Sequence, residues 1–340
     1  MNLDFRSDTV TMPTKAMKEA MFNAPLGDDV FGEDPTINAL EKKAAEMFGM
    51  EAGLFCPSGT MTNQIAMQVH MRPGDEVICD QLSHIYLYEG GGIARNAGAS
   101  VSLIQGENGI FTGAQVQAMI KKDDVHNPVT TLVSIENTVN KGGGVCWSLE
   151  QIDDVKSVCQ ANQLPLHLDG ARIFNAMVAK GYSAKEIGKR FDTISICLSK
   201  GLGCPVGSVL LGSKSFIKQA RRVRKVMGGG MRQAGLLAAA GIHALDFHID
   251  RLKIDHENAS LVANNLKKLS FVKKIKPVET NLLIFELNDE VDENHFLDFM
   301  KSSGIQLVTM GPKLVRITFH LDISAESVQF LIDQLKKYRF

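Results

Sequence analysis

Between Ala52 and Leu211 the sequence repeats one theme, a short apolar run ending on polar residues and then a longer amphipathic stretch. Strands alternating with helices in this way build a mostly parallel sheet with helices on its faces. The pattern predicts strands at Gly53–Cys56, Glu76–Asp80, Ser100–Ile104, Thr131–Glu136, Leu164–Asp169, Thr193–Ser199 and Ser208–Leu211. Many lack polar alternation, as strands buried on both faces do. Helices are predicted over Thr62–Met71, closed by Arg72-Pro73-Gly74, and over Leu149–Asn162. Beyond Gly241 the rhythm changes. One long helical stretch, Leu245–Leu269, leads to strand-like Asn281–Glu286, helix Asn294–Ser302, strand-like Leu314–Thr318 and helix Ala325–Tyr338. The expected fold class is α/β, with a large domain over 1–244 and a smaller α+β domain over 245–340.

At 340 residues, with 44% apolar and 22% charged side chains, the chain can bury a large core. Its 37 basic and 38 acidic residues leave a net charge of −1, so no broad positive field exists to hold a nucleic acid. The opening Met-Asn-Leu-Asp-Phe-Arg-Ser-Asp lacks the basic and apolar regions of a signal peptide, and a cytoplasmic location is expected. No apolar run approaches the roughly 18 residues that span a bilayer, so no membrane partner is expected. Six cysteines are scattered with no Cys-x-x-Cys pair, which reads as reduced core thiols and no metal site. Three triple-glycine runs, at Gly90–Gly92, Gly142–Gly144 and Gly228–Gly230, read as turns or as places of close backbone approach.

Ligands of parallel sheets bind beyond the carboxyl ends of the strands, so the polar residues ending the apolar runs are the ones to weigh. Ser58-Gly59-Thr60 opens a predicted helix, where backbone amides either receive a phosphate or are simply capped. Asp169 ends a strand, and Arg172 follows it either as a structural ion pair or as part of a site. Lys200 leaves the end of a buried strand into a glycine turn, and His84 stands just past Asp80. Taken together, these four places match the needs of a pyridoxal 5'-phosphate (PLP) enzyme. Such an enzyme requires a lysine to form the Schiff base, a carboxylate for the pyridine nitrogen, a phosphate cradle and a ring-stacking group.

At this point the chain resembles the low-specificity L-threonine aldolases. The resemblance rests on Phe5-Arg6-Ser7-Asp8-Thr9-Val10-Thr11, Asp28-Asp29-Val30-Phe31-Gly32-Glu33-Asp34-Pro35-Thr36 and Pro57-Ser58-Gly59-Thr60-Met61-Thr62-Asn63. It continues in His167-Leu168-Asp169-Gly170-Ala171-Arg172, Ser199-Lys200-Gly201-Leu202-Gly203 and Gly228-Gly229-Gly230-Met231-Arg232-Gln233-Ala234-Gly235. These motifs occupy the first two-thirds of the chain; the last third matches in layout.

The resemblance implies an aspartate aminotransferase-like fold and a homotetramer with active sites shared between subunits. It implies that Lys200 carries PLP, Asp169 faces the pyridine nitrogen and Arg172 the ring's phenolate oxygen. Gly59 and Thr60, with Ser58 beside them, would hold the phosphate, and His84 would stack on the ring. Ser7 and Arg316 would bind the carboxylate of a small amino-acid substrate, and Arg232, with Lys225, would reach in from the neighbouring subunit. Threonine and allo-threonine would be cleaved to glycine and acetaldehyde. His84 and His126 are the candidates to take the β-hydroxyl proton. Two positions depart from the family pattern: Phe31 stands where tyrosine is usual, and Val139 where histidine is common. The rival readings are another PLP reaction, β-elimination or transamination, and a PLP-fold protein that only binds a partner. A nicotinamide enzyme is disfavoured because no Gly-x-Gly-x-x-Gly follows the first strand.

Overall fold

The computed structural model describes residues 3–340. In chain order its strands are β1 (Leu3–Asp4), β2 (Ala52–Cys56), β3 (Asp75–Asp80), β4 (Ser100–Ile104), β5 (Val129–Glu136), β6 (Leu166–Gly170) and β7 (Thr193–Cys197). They continue with β8 (Ser208–Gly212), β9 (Val272–Ile275), β10 (Leu282–Leu287), β11 (Ile305–Gln306), β12 (Val308–Gly311) and β13 (Leu314–Thr318). Seven of them form one sheet in the order β2-β8-β7-β6-β5-β3-β4. The run from β4 to β7 is parallel, and β8 and β2 close that edge antiparallel. All seven predicted strands of this sheet are present, each within two residues of its expected ends.

The parallel direction sets the site. Carboxyl ends of β3, β5, β6 and β7 open along one edge, and the register places Glu136 beside Asp169 and Asp169 beside Ser195. Strands β6, β7 and β8 are buried along their whole length, which explains their unbroken apolar runs. The helix Gly59–His70 starts where Ser58 accepts a hydrogen bond from the Met61 amide, and Leu149–Ala161 starts on a reciprocal Ser148–Gln151 capping box. The six cysteines are free and buried, as their apolar surroundings predicted.

The long helix expected over Leu245–Leu269 is two helices, Gly235–Phe247 and Leu252–Leu266. The first begins ten residues upstream of the expected start because its run of Leu, Ala and Gly is apolar on nearly every side and carries no 3.6-residue alternation. Neither proline nor glycine marks the break between them. There the His248 ring donates to the Leu202 carbonyl at 2.8 Å, and Leu252 still packs in the first core.

A second core gathers Phe285, Phe296, Phe319 and Leu331 around the antiparallel sheet β12-β13-β10-β9. Phe5 belongs to it, edge-on to Phe319 at 5.7 Å, and β1 pairs in parallel with β11. The start of the chain is thus fastened to its last third. The glycine run at Gly142–Gly144 marks another close approach: a Cβ on Gly144 (φ +79°) would come within 2.5 Å of the Thr280 hydroxyl.

Candidate active site

Five residues singled out in the sequence, Ser7, His84, Arg172, Lys200 and Arg316, line one pocket of about 360 Å³ at the carboxyl edge of the large sheet. A larger groove of about 840 Å³ runs past Lys267, Lys274 and Lys276 and contains none of them.

Lys200 sits in the turn after β7, closed by a 2.8 Å bond from the Gly203 amide to the Lys200 carbonyl. Gly203 adopts φ +77°, a conformation natural to glycine. Among the described residues the Lys200 ammonium has no hydrogen-bond or ion-pair partner. Asp169, 2% exposed, accepts from Asn63 Nδ2 at 3.0 Å and from the Ala171 amide at 3.2 Å, and it too has no cationic partner. The structural ion pair with Arg172 does not form. Arg172 turns its Nε and Nη2 onto the two oxygens of Asp8, each at 2.7 Å. Burial alone would raise the Asp8 pKa, but Arg172, with Lys200 beyond it, holds that carboxyl well below the usual range.

The His84 Nδ1 lies 3.0 Å from Glu89 Oε1. A carboxylate only accepts, so Nδ1 carries the hydrogen and the Nε2 of neutral His84 keeps its lone pair. Burial pulls the His84 pKa down, but Glu89, Asp169 and Glu136 together outweigh it and raise it above the ordinary histidine value. Glu136 anchors this wall of the pocket: Oε2 accepts from the His84 amide at 2.7 Å and Oε1 from the Asn140 amide at 2.9 Å. Burial, and then Asp169, push the Glu136 pKa up to about 7. His84, Glu89 and Asp169 bring ligand-type atoms within 4.8 Å of one another, a closeness already explained by the Asn63 amide that joins the two carboxylates.

Arg316, on β13, donates to Asn140 Oδ1 at 3.0 Å and to the Arg6 carbonyl at 2.8 Å. It is 9% exposed, pairs with no carboxylate, and its buried Nε has no partner. Burial and then Arg172 lower its pKa to about 10. A desolvated guanidinium in that state is short of an anion. Ser7, beside it, caps the turn Asp8–Val10. At the head of the helix Gly59–His70 the amides of Gly59 and Thr60 have no acceptor among the described residues. The Ser58 hydroxyl, by contrast, is already committed to the Met61 amide at 3.2 Å.

Of the other expected residues, Ser58, Gly59, Thr60 and Asp169 do not line this pocket, though Asp169 comes within 4.8 Å of His84, and two more stand apart at the surface. His126 lies in an exposed turn, its Nδ1 2.7 Å from Asp124 Oδ1. Arg232 is exposed, paired with Asp28 at 3.0 Å and set 5.8 Å from the centre of the Phe31 ring. Of the two departures, Phe31 is 73% exposed, whereas Val139 is buried in the first core and pairs with Val145. Val139 therefore packs against the first core. Sequence reading missed Asp8, Asn63, Glu89, Glu136 and Asn140 as site residues. Asp8, Asn63 and Glu136 lie inside stretches that drew attention, and Asn140 follows Val139, but nothing local shows where their side chains point.

Comparison with known proteins decides the family. A model of the beta-eliminating lyases matches residues 4–290. The low specificity L-threonine aldolase of Escherichia coli K12 is 44% identical over 327 residues, covering 96% of each chain. The chain belongs to the low-specificity L-threonine aldolase family. Another relative, low-specificity L-threonine aldolase 1 of Arabidopsis thaliana, is 40% identical over 338 residues, covering 97% of this chain and 94% of that protein. The fold of this family member matches the solved structure of a Leishmania major threonine aldolase with a TM-score of 0.87, at 21% identity over 98% of this chain and 99% of the other. Like its family, it is a lyase built on an α/β sheet with an antiparallel C-terminal sheet. Among the described residues of this aldolase-family chain, no helix is long and apolar enough to cross a membrane.

Proposed function

We propose that the protein is a PLP-dependent threonine aldolase that cleaves L-threonine and L-allo-threonine to glycine and acetaldehyde. The observation that carries this reading is one pocket lined by an unpartnered Lys200 and a buried Arg316 without an anion, with a buried Asp169 without a cation within 4.8 Å of the lining residue His84. Lys200 and Asp169 fit PLP, and Arg316 fits a substrate carboxylate. Lys200 would hold the cofactor aldehyde, Asp169 the pyridine nitrogen, and the free amides of Gly59 and Thr60 the phosphate. PLP, when bound, supplies an electron sink for the carbon from which the Cα–Cβ bond is broken.

The chain supplies the rest. Arg316, fixed by Asn140 and the Arg6 carbonyl, clamps the amino-acid carboxylate and orients Cα. His84, with Nδ1 tied to Glu89, accepts the β-hydroxyl proton at Nε2, so that the oxygen can become the carbonyl of the leaving aldehyde. With one histidine facing the β-carbon, selectivity there rests on a methyl-sized difference, worth roughly 10–200-fold. We read the protein as a cytoplasmic homotetramer whose exposed Arg232 and His126 belong to contacts between copies. Exposed Phe22 and Leu26 on the surface near Leu236 support such contacts. The decisive experiment is to incubate purified protein with PLP and L-threonine and assay products. Glycine with acetaldehyde supports the reading; 2-oxobutyrate with ammonia would replace it with elimination.

A further inference from the structure

Behind Asp169 a line of buried polar groups runs away from the pocket. Asn63 Nδ2 donates to Glu89 Oε1 at 2.9 Å and to Asp169 Oδ2 at 3.0 Å. Asn63 Oδ1 faces His167 Nε2 at 3.2 Å, and His167 Nδ1 lies 2.9 Å from the Thr193 hydroxyl. His70 Nε2 reaches the same hydroxyl at 3.0 Å, and its ring stacks on Phe216 at 4.7 Å. Asn63, His167 and Thr193 are each no more than 2% exposed, so each must satisfy its polar atoms within the line.

Those contacts leave one self-consistent arrangement of hydrogens. Two carboxylates accept at one end of Asn63, so its nitrogen must point there and its oxygen toward His167. The His167 Nε2 must then carry hydrogen, which leaves Nδ1 as an acceptor. The Thr193 proton goes to that Nδ1, and the Thr193 oxygen can only accept, from His70 Nε2–H. Every donor in the series therefore points toward Asp169 and Glu89. Burial separately keeps both rings neutral, with the His70 pKa lowered to about 4 and that of His167 to about 3.

We propose that Asn63, His167, Thr193 and His70 are positioning residues. They form a directed hydrogen-bond relay that holds Asp169 as an oriented anion, and through Asn63 they join it to the Glu89–His84 pair. Aligned dipoles ending on a carboxylate favour its ionised form, and the second amide hydrogen of Asn63 does the same for the acid that orients His84. The proposal rests on the reading of Asp169 as the partner of the PLP nitrogen.

The test uses the holoenzyme reconstituted with PLP carrying 15N at the pyridine position. Its nitrogen resonance is followed against pH in the parent, Thr193→Val, Thr193→Ser and His167→Phe. The relay predicts a protonated pyridine nitrogen across neutral pH in the parent and in Thr193→Ser. In Thr193→Val and His167→Phe it predicts a titration displaced toward lower pH. It also predicts that kcat falls about tenfold or more in those two variants, as for other supporting partners, while KM stays within about twofold. A parent-like resonance and kcat in folded Thr193→Val and His167→Phe, with only a lower melting temperature, would overturn the relay and leave a packing role. A parent that takes up no PLP overturns the cofactor reading, and the relay falls with it; the two failures are told apart by the parent's spectrum alone.

Discussion

Arg172 grips Asp8 through two hydrogen bonds of 2.7 Å, and so a residue three positions from Asp169 neutralises an acid 164 positions away. Both partners are buried, and Asn281 Nδ2 adds a further contact to Asp8 at 3.2 Å. Replacing Asp8 by asparagine strands a guanidinium in the interior, a change that costs about 3–5 kcal/mol. Urea unfolding of Asp8→Asn should show that loss. A loss under about 1 kcal/mol would place the pair in the class of solvated surface bridges.

Asp169→Asn should behave differently. Asp169 has no cation to strand, so unfolding midpoints should stay near the parent, while turnover falls by about 10²-fold or more for want of a charge at the cofactor nitrogen. Melting curves and rates on the same sample test this; parallel losses of both would contradict it.

Lys200→Ala should remove both the visible absorption of lysine-bound PLP and the cleavage activity. Borohydride reduction of the parent, followed by peptide mapping, should place the pyridoxyl group on Lys200. A label on another lysine would sink the assignment.

The pH profile follows from His84. Its pKa is raised above the usual histidine value, and the base is the deprotonated ring, so kcat/KM should fall as pH drops through a point above about 6.5. His84→Asn should lose that acid limb and about 10²–10⁴-fold in rate. An unchanged limb in the variant would assign it to another group.

Acid stability should be governed in part by His167. Its folded pKa of about 3 lies below the unfolded value, so between about pH 6.5 and 3 the unfolded chain binds a proton that the folded chain refuses. Stability therefore rises with pH across that window, by up to ~1.4 kcal/mol per pH unit from this residue. Chemical denaturation of the parent and His167→Phe at several pH values should show a shallower slope in the variant; equal slopes would refute the assignment.

The large sheet was legible because buried parallel strands write themselves as apolar runs, and because ligands gather where those runs end. Lys200, Asp169 and His84 could be found on that basis. Other features depend on distance in space. Nothing near Arg172 indicates that its partner is Asp8 and not Asp169. Asn63 reads as one more polar residue in a helix until Glu89, Asp169 and His167 close around it. The helix Gly235–Phe247 was misplaced because burial on nearly all sides erases the amphipathic signal. His126 drew attention as a residue type and Arg232 through the family resemblance, and the fold of one chain sets both at the surface.

The fastening of the chain's start to its last third has a consequence for synthesis. Phe5 and Arg6 leave the ribosome some 310 residues before Arg316, whose side chain donates to the Arg6 carbonyl. At about 5–20 residues per second that interval is roughly 15–60 seconds. During it Phe5 has no core to enter, and Ser7 has no Arg316 across the pocket. The nascent polypeptide can assemble its large sheet early, yet the cleft stays incomplete until translation is nearly finished. Catalysis is thereby timed to follow the last strand, and a message cut short of β13 yields an inert product.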